Sequence, residues 1–312
     1  MSDFIEFTNE HGQKIELPRE TYREKIIPQK LEQYWDEKEM LRQFAIELVA
    51  QGFNEEGAKA ADRLLELFGP IEPALIFRAV VHMQAQEFDP AKQLLLYVIH
   101  HYPNSGNAYT NLAKIFAYEG DEEKAFEILE GGLVKDPNQD NGLDWYVANF
   151  LEHGKKEQLF ERLELIAKQE GAWRPQLIMG RLALEDENLL LAMDKYQEAI
   201  TKSGNSEVTI MNVTGELGQA GYVYQLIQVA EKYWQPTFEY PYTGFNYANA
   251  LISTDQKQQA VTVLKAMLPH IREDYKEVVN RFLEQLPQEL LEESHGETSS
   301  QEADKKPWWK VW

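Results

Sequence analysis

Cysteine is absent from this 312-residue chain. That removes disulfides, thiol nucleophiles and thiolate metal sites together, and it suits a reducing compartment. Positive charge is scarce: 31 Lys and Arg stand against 52 Asp and Glu, a net charge of −21. A field of that sign repels phosphate backbones and anionic membranes, so no nucleic-acid partner is expected and a basic protein segment is the easier ligand. No uninterrupted apolar run is long enough to span a bilayer. The start, Met1-Ser-Asp-Phe-Ile-Glu, lacks the basic and then apolar regions of a secretory signal, so a cytoplasmic location is expected. Strand-like alternation is missing from residues 39 to 285.

Chemistry-bearing constellations are also missing. None of the seven histidines pairs with a glutamate in a zinc-binding helix spacing. His100 and His101 are adjacent and project in different directions on a helix, and His82 falls at a core position. The acids of residues 119–123 coincide with a turn and a helix start, where capping explains them. The glycines of residues 215–221 lack the spacing and strand context of a phosphate loop. No serine–histidine–acid set can be assembled. The expectation is a protein without metal, cofactor or catalytic residues.

What the chain does have is a beat. Unit starts fall near Glu39, Glu72, Gly106, Asp140, Trp173, Glu207 and Pro241, 33 or 34 residues apart. The turn within each unit is marked by Gly52–Phe53, Gln86, Gly120, Gly154, Glu187, Gly221 or Asp255. Five residues later comes Ala58, Ala91, Ala125, Leu159, Ala192, Leu226 or Ala260, and four after that Asp62, Leu95, Leu129, Leu163, Tyr196, Ala230 or Leu264. That spacing puts both series on one helical face. The clearest unit, residues 106–139, carries Tyr109, Leu112, Ala113, Phe116, Gly120, Ala125, Leu129, Gly132 and Pro137. Asp89 before Pro90 and Asp121 before two glutamates read as helix caps. A single helix pair of this size cannot bury its apolar face; stacked copies can.

These residues resemble the tetratricopeptide repeat family over residues 39 to 274. The resemblance implies an all-α, right-handed solenoid of about seven helix-turn-helix repeats, the first helix of each pair lining an inner face. Two further segments, the amino-terminal stretch ending in Leu17-Pro-Arg-Glu and residues 136–146, resemble a bacterial subgroup of tetratricopeptide proteins, which brings no activity with it.

The ends differ from the middle. Ile5 and Phe7, then Ile15 and Leu17, alternate with polar residues about a turn at residues 9–12. They predict a short β-hairpin that packs on the first helices or on a partner, followed by a capping helix, over residues 1–38. The superhelix is assigned residues 39–286. Residues 287–312 read as a disordered acidic tail ending in a hook of Trp308, Trp309 and Trp312. The hook suits a partner groove, weak contact with a membrane interface, or a strap on the protein's own surface.

Second, fifth, sixth and ninth places in each unit face inward in the implied fold. They yield a polar ladder: Asn107, Asn111 and Lys114; Trp145; Arg174 and Arg181; Asn212; Tyr242, Asn246 and Asn249. Asparagine offers a donor and an acceptor side by side, which suits the backbone of an extended peptide, and the cations suit carboxylates. Asn111 and Lys114 are similar to the clamp of chaperone adaptors for carboxy-terminal peptides, but Asp144 and Trp145 in the next unit depart from it. The expected function is a non-enzymatic adaptor that binds a protein or peptide segment in its groove. The alternative is a regulatory sensor, resembling the peptide-responsive tetratricopeptide regulators of bacteria, that acts through protein contact.

Overall fold

Seven consecutive helix pairs make up most of the molecule. The computed structural model describes residues 3–8, 14–284 and 286. The pairs are α3 (Lys38–Ala50) with α4 (Asn54–Phe68), α5 (Glu72–Gln84) with α6 (Phe88–His101), and α7 (Gly106–Tyr118) with α8 (Glu122–Lys135). There follow α9 (Asp140–Glu152) with α10 (Lys156–Ile166), α11 (Arg174–Glu185) with α12 (Leu189–Lys202), α13 (Glu207–Gln219) with α14 (Val223–Tyr233), and α15 (Tyr242–Ser253) with α16 (Lys257–Met267). A last helix, α17 (Glu273–Glu284), follows the seventh pair. First helices begin within one residue of every unit start read from the sequence.

One device closes every pair. Gly52, Gln86, Gly120, Gly154, Glu187, Gly221 and Asp255 all adopt positive φ, between 57° and 87°. The next residue donates its N–H five residues back, as in Phe53 to Leu48 at 2.8 Å, Asp121 to Phe116 at 2.9 Å and Asn188 to Ala183 at 2.9 Å. The positive-φ residue itself donates three back, as in Gly120 to Ala117 at 3.0 Å. This is the Schellman motif, which satisfies carbonyls that the helix end would otherwise leave open. Glycine suits the left-handed conformation; at Gln86, Glu187 and Asp255 a side chain is tolerated there at some expense.

The apolar series behaves as its spacing demands. Ala91, Leu95, Ala125, Leu129, Leu159, Leu163, Ala192, Tyr196, Ala260 and Leu264 are fully buried. Burying one leucine stabilises by roughly 1.5–3 kcal/mol before chain entropy is set against it. The first pair corrects the register by one residue. Gly57 and Ala61, not Ala58 and Asp62, face its core, while Asp62 is exposed and pairs with Arg78 at 2.7 Å. Counting from the positive-φ residue Gly52 and not from Phe53 restores the spacing. A second correction concerns α6, which starts at Phe88 behind the N-cap Glu87, so Asp89 lies inside the first turn. Asp121 does cap α8, accepting from the Lys124 N–H at 3.1 Å.

The amino-terminal hairpin pairs β1 (Phe4–Thr8) antiparallel to β2 (Lys14–Pro18), with Ile5 opposite Leu17. Ile5 is buried with Tyr22, Ile27, Phe44, Leu48 and Phe53, so the hairpin docks on the first pair. Between the hairpin and α3 run a helical turn α1 (Arg19–Thr21), a π-helical segment (Tyr22–Ile26) and α2 (Ile27–Tyr34). Pro28 explains the wide turn: it has no N–H for the α-helical bond, and the Ile27 N–H reaches back to Tyr22 O instead.

The described residues fall into two compact units, one up to residue 159 and one from residue 160, the division falling within α10. In the second unit one continuous core runs from Leu177 through Tyr196, Val213, Leu226 and Leu251 to Val279 and Leu286. The assigned tail, with its acidic stretch and Trp hook, lies outside the described residues.

Candidate functional site

First helices within each unit lie beside one another, α5 and α7 against α7 and α9, α11 and α13 against α13 and α15. Each unit therefore has a shared first-helix face, and the ladder residues are distributed over the two.

In the first unit, Asn107, Asn111 and Lys114 follow one face of α7 at spacings of four and three. Asn107 turns toward the next repeat: its Oδ1 accepts from Gln139 Nε2 at 2.9 Å. Gln139 is the buried N-cap of α9, and its Oε1 accepts from Thr110 Oγ1 at 3.2 Å and from the Gly142 N–H. Asn107 and Thr110 thus belong to a polar joint between two repeats. Asn111 donates Nδ2 to the Asn107 carbonyl at 2.9 Å, four residues back in its own helix. Lys114 is half-buried and makes no hydrogen bond or ion pair among the described residues. Trp145 on α9 packs against the Phe126 ring of α8, centroids 5.9 Å apart.

The second unit carries the denser arrangement. Arg174 lies with its guanidinium 4.8 Å from the Trp173 ring centre. Arg181 points its Nε at Glu216 Oε1 of α13, 3.8 Å away. The other oxygen of Glu216 accepts from the Tyr196 hydroxyl at 2.6 Å. Burial raises the Glu216 carboxyl above its usual value, against the pull of the Tyr196 hydrogen bond and the Arg181 charge. Burial, and then the neighbouring Glu216 charge, raises the Tyr196 phenol as well. The cation read from the sequence as a carboxylate holder therefore already faces a carboxylate of its own chain.

Beyond this pair, Asn246 donates Nδ2 to Thr214 Oγ1 at 3.3 Å, and the buried Thr214 hydroxyl donates to the Ile210 carbonyl at 3.0 Å. Asn212, half-buried, and Asn249, exposed, make no side-chain hydrogen bond among the described residues. Tyr242 meets α17: its hydroxyl lies 3.0 Å from that of Tyr275, with the rings at 78°. Phe245 stacks on Phe282 of the same helix at 5.8 Å. α17 thus covers the start of α15.

Glu216 and Thr214 were not singled out from the sequence, and Tyr196 was read only as a member of the apolar series. Glu216 had a signal: it lies four residues after Asn212, hence on the same face of α13. Tyr196 and Thr214 had none, since each occupies a place that reads as core. The hook residues Trp308, Trp309 and Trp312 lie outside the described residues. Among the described residues no group of three or more metal-ligating side chains is assembled, and no helix is long and apolar enough to cross a membrane.

No protein-family model and no curated protein matches the chain. Solved structures do. PilF of Pseudomonas aeruginosa is similar at 17% identity over 67% of this chain and 96% of its own, with a TM-score of 0.36. Yeast Tom70 is similar at 11% identity over 88% of this chain and 59% of its own, with a TM-score of 0.43. The TPR2AB domain of yeast Sti1, solved in complex with pHSP90, is similar at 16% identity over 78% of this chain and 92% of its own, with a TM-score of 0.32. Likeness at this level concerns fold alone. With seven helix pairs on a 33–34-residue spacing, each closed by the same left-handed turn, the chain has a tetratricopeptide-like fold.

Proposed function

We propose that the protein is a non-enzymatic adaptor whose first-helix face in residues 174–253 holds an extended segment of a partner protein. The observation that carries this reading is the contrast between engaged and unengaged side chains on that face. Arg181 and Asn246 have partners within the chain, whereas the amides of Asn212 and Asn249 have none among the described residues. Such amides match the alternating donors and acceptors of a peptide backbone. Because Glu216 already opposes Arg181, the face favours backbone recognition over capture of a ligand carboxylate. The acidity of the whole chain favours a segment with basic side chains and speeds its encounter.

A peptide library displayed on phage and selected on the full chain tests this reading. Selected peptides are expected to be basic. Asn212→Ala with Asn249→Ala should weaken them by about tenfold, the worth of one or two lost hydrogen bonds, with unchanged melting. Peptides that bind equally well to the double variant would overturn the assignment. A chain ending at Leu286 that binds the same peptides unchanged would remove the Trp hook from this site.

A further inference from the structure

The fifth repeat breaks the pattern of its neighbours at a buried place. The fourth position of a unit is Leu75, Tyr109, Leu143 and Ile210 in four of the repeats, all apolar in body. In the seventh it is Gly244, whose missing side chain is replaced by Met267. In the fifth it is Gln176, only 5% exposed, with its Oε1 buried and without a hydrogen-bond partner. Burying an amide oxygen unpaired is unfavourable, and the repeats on either side, with Leu143 and Ile210, have no amide at this place.

Gln176 borders an open recess of about 350 Å³, in the size range of small-ligand sites. Three lysines converge on it. Lys195 is 9% exposed, and its ammonium lies 3.7 Å from Glu164 and 3.9 Å from Glu198, too far for a hydrogen bond to either. Lys202, seven residues on and so on the same face of α12, donates to the carbonyls of Ala167 and Gln169 just beyond the end of α10. That leaves it donor capacity toward the recess. Lys168 stands exposed at the rim. Three ammoniums against two carboxylates leave a local positive surplus in a strongly acidic protein.

We propose that this recess binds a phosphate group. One phosphate supplies an acceptor to the Lys195 ammonium, which has only long ion pairs, and a partner to the Gln176 amide, whose Oε1 has none. The donors approach from α12 and from the end of α10, in different directions. A tetrahedral phosphate presents oxygens to all of them, whereas a carboxylate prefers the planar fork of arginine. The Gln176 amide accepts from a hydroxyl of the ligand or, turned over, donates to a phosphate oxygen. Second helices and the first turn of α11 build this site, so it is distinct from the first-helix ladder and independent of it.

The test is a titration of the ¹⁵N-labelled full chain at low ionic strength, followed by amide resonances of residues 164–202. The probes are inorganic phosphate, a phosphoserine peptide, its unphosphorylated form and acetate. Saturable shifts are expected with phosphate at about millimolar affinity. Lys195→Met and Lys202→Met should each weaken binding about tenfold, as expected for a charge-assisted hydrogen bond. Tighter binding of the phosphopeptide assigns the phosphate to a modified partner protein; tighter binding of inorganic phosphate assigns it to a small molecule. Two further variants guard against misfolding. Gln176→Leu gives the fifth repeat the residue of the second and fourth, Leu75 and Leu143, and should raise the melting temperature while weakening phosphate. Lys168→Ala, at the exposed rim, should weaken it a few-fold with no change in melting. Absence of saturable shifts, shifts that survive both lysine substitutions, or acetate binding as strong as phosphate would overturn the proposal.

Discussion

The α7–α8 pair and the α11–α12 pair are built on one template and differ where it matters. The first has Gly120 in its left-handed turn, Tyr109 at its fourth place and Ala113 at its eighth. The second has Glu187, Gln176 and Gly180 in those places. The α7–α8 pair follows the rule of the repeat at all three places. The α11–α12 pair departs from the rule three times, and two of its departures, Gly180 and Gln176, border the two polar clusters of the second unit. Gly180 makes room for the Tyr196 ring, whose hydroxyl reaches Glu216; Gln176 opens the lysine-lined recess. A repeat supplies its own control: a residue that breaks the pattern without a packing reason marks a place where something else is recognised.

The largest test of this contrast is a swap at the eighth place. A Cβ on Gly180 would sit 2.5 Å from Cε1 of Tyr196. Gly180→Ala is therefore expected to destabilise by about 1–3 kcal/mol through overpacking, despite the better helix propensity of alanine. Ala113→Gly in α7 should destabilise by about 1 kcal/mol through propensity and lost packing. Urea denaturation of both variants decides it; a stabilised Gly180→Ala chain would mean that Tyr196 is not held against α11.

Next in size are the turns. Glu187→Gly relieves a side chain from the left-handed region and should stabilise by up to about 1 kcal/mol, while Gly120→Ala should destabilise by about the same. Melting temperatures of opposite displacement would sharpen the comparison, and equal displacements would break it.

The smallest effect is electrostatic. Burial raises the folded-state value of Glu216 above the 4.5 of the free carboxyl. The folded state then holds that proton more tightly than the unfolded chain. Its contribution to stability is present below about 4.5 and is lost as the pH rises through the raised value. Glu216→Gln keeps an acceptor for the Tyr196 hydroxyl and removes the buried charge. Its stability relative to the parent should improve as the pH rises from 4.5 toward neutrality. Arg181, about half-exposed, loses little by the change. Chemical denaturation across that range checks the sign, and a variant that loses ground with rising pH would place Glu216 in a stabilising ion pair instead.

Much of the fold could be read in advance because it is local. Gln86, Glu187 and Asp255 were identified as turns despite carrying side chains, since the 33–34-residue spacing put them in register with glycines. The register failed only in the first pair, where Gly52 and Phe53 compete for the turn and a one-residue shift exchanges Asp62 for Ala61. The hairpin was legible from its alternation; the sequence left its docking open between the first helices and a partner, and the structure seats Ile5 with Phe44 and Phe53. The ladder was legible as a set of positions but not as a set of partners. Asn107 serves the N-cap of α9, Arg181 faces Glu216, and Tyr242 meets Tyr275 of a helix beyond the last repeat. Each of these pairings spans 32 to 35 residues and depends on side-chain direction between repeats.

The amino-acid order alone determined the helix pairs, their turns and the apolar face of each, because those follow from contacts within a few residues and from a spacing that repeats. Only the tertiary structure decided which polar groups are spent on the chain itself and which remain for a ligand. Whether Glu216 meets Arg181, or Gln176 meets nothing while three lysines gather beside it, depends on how one repeat is set against the next.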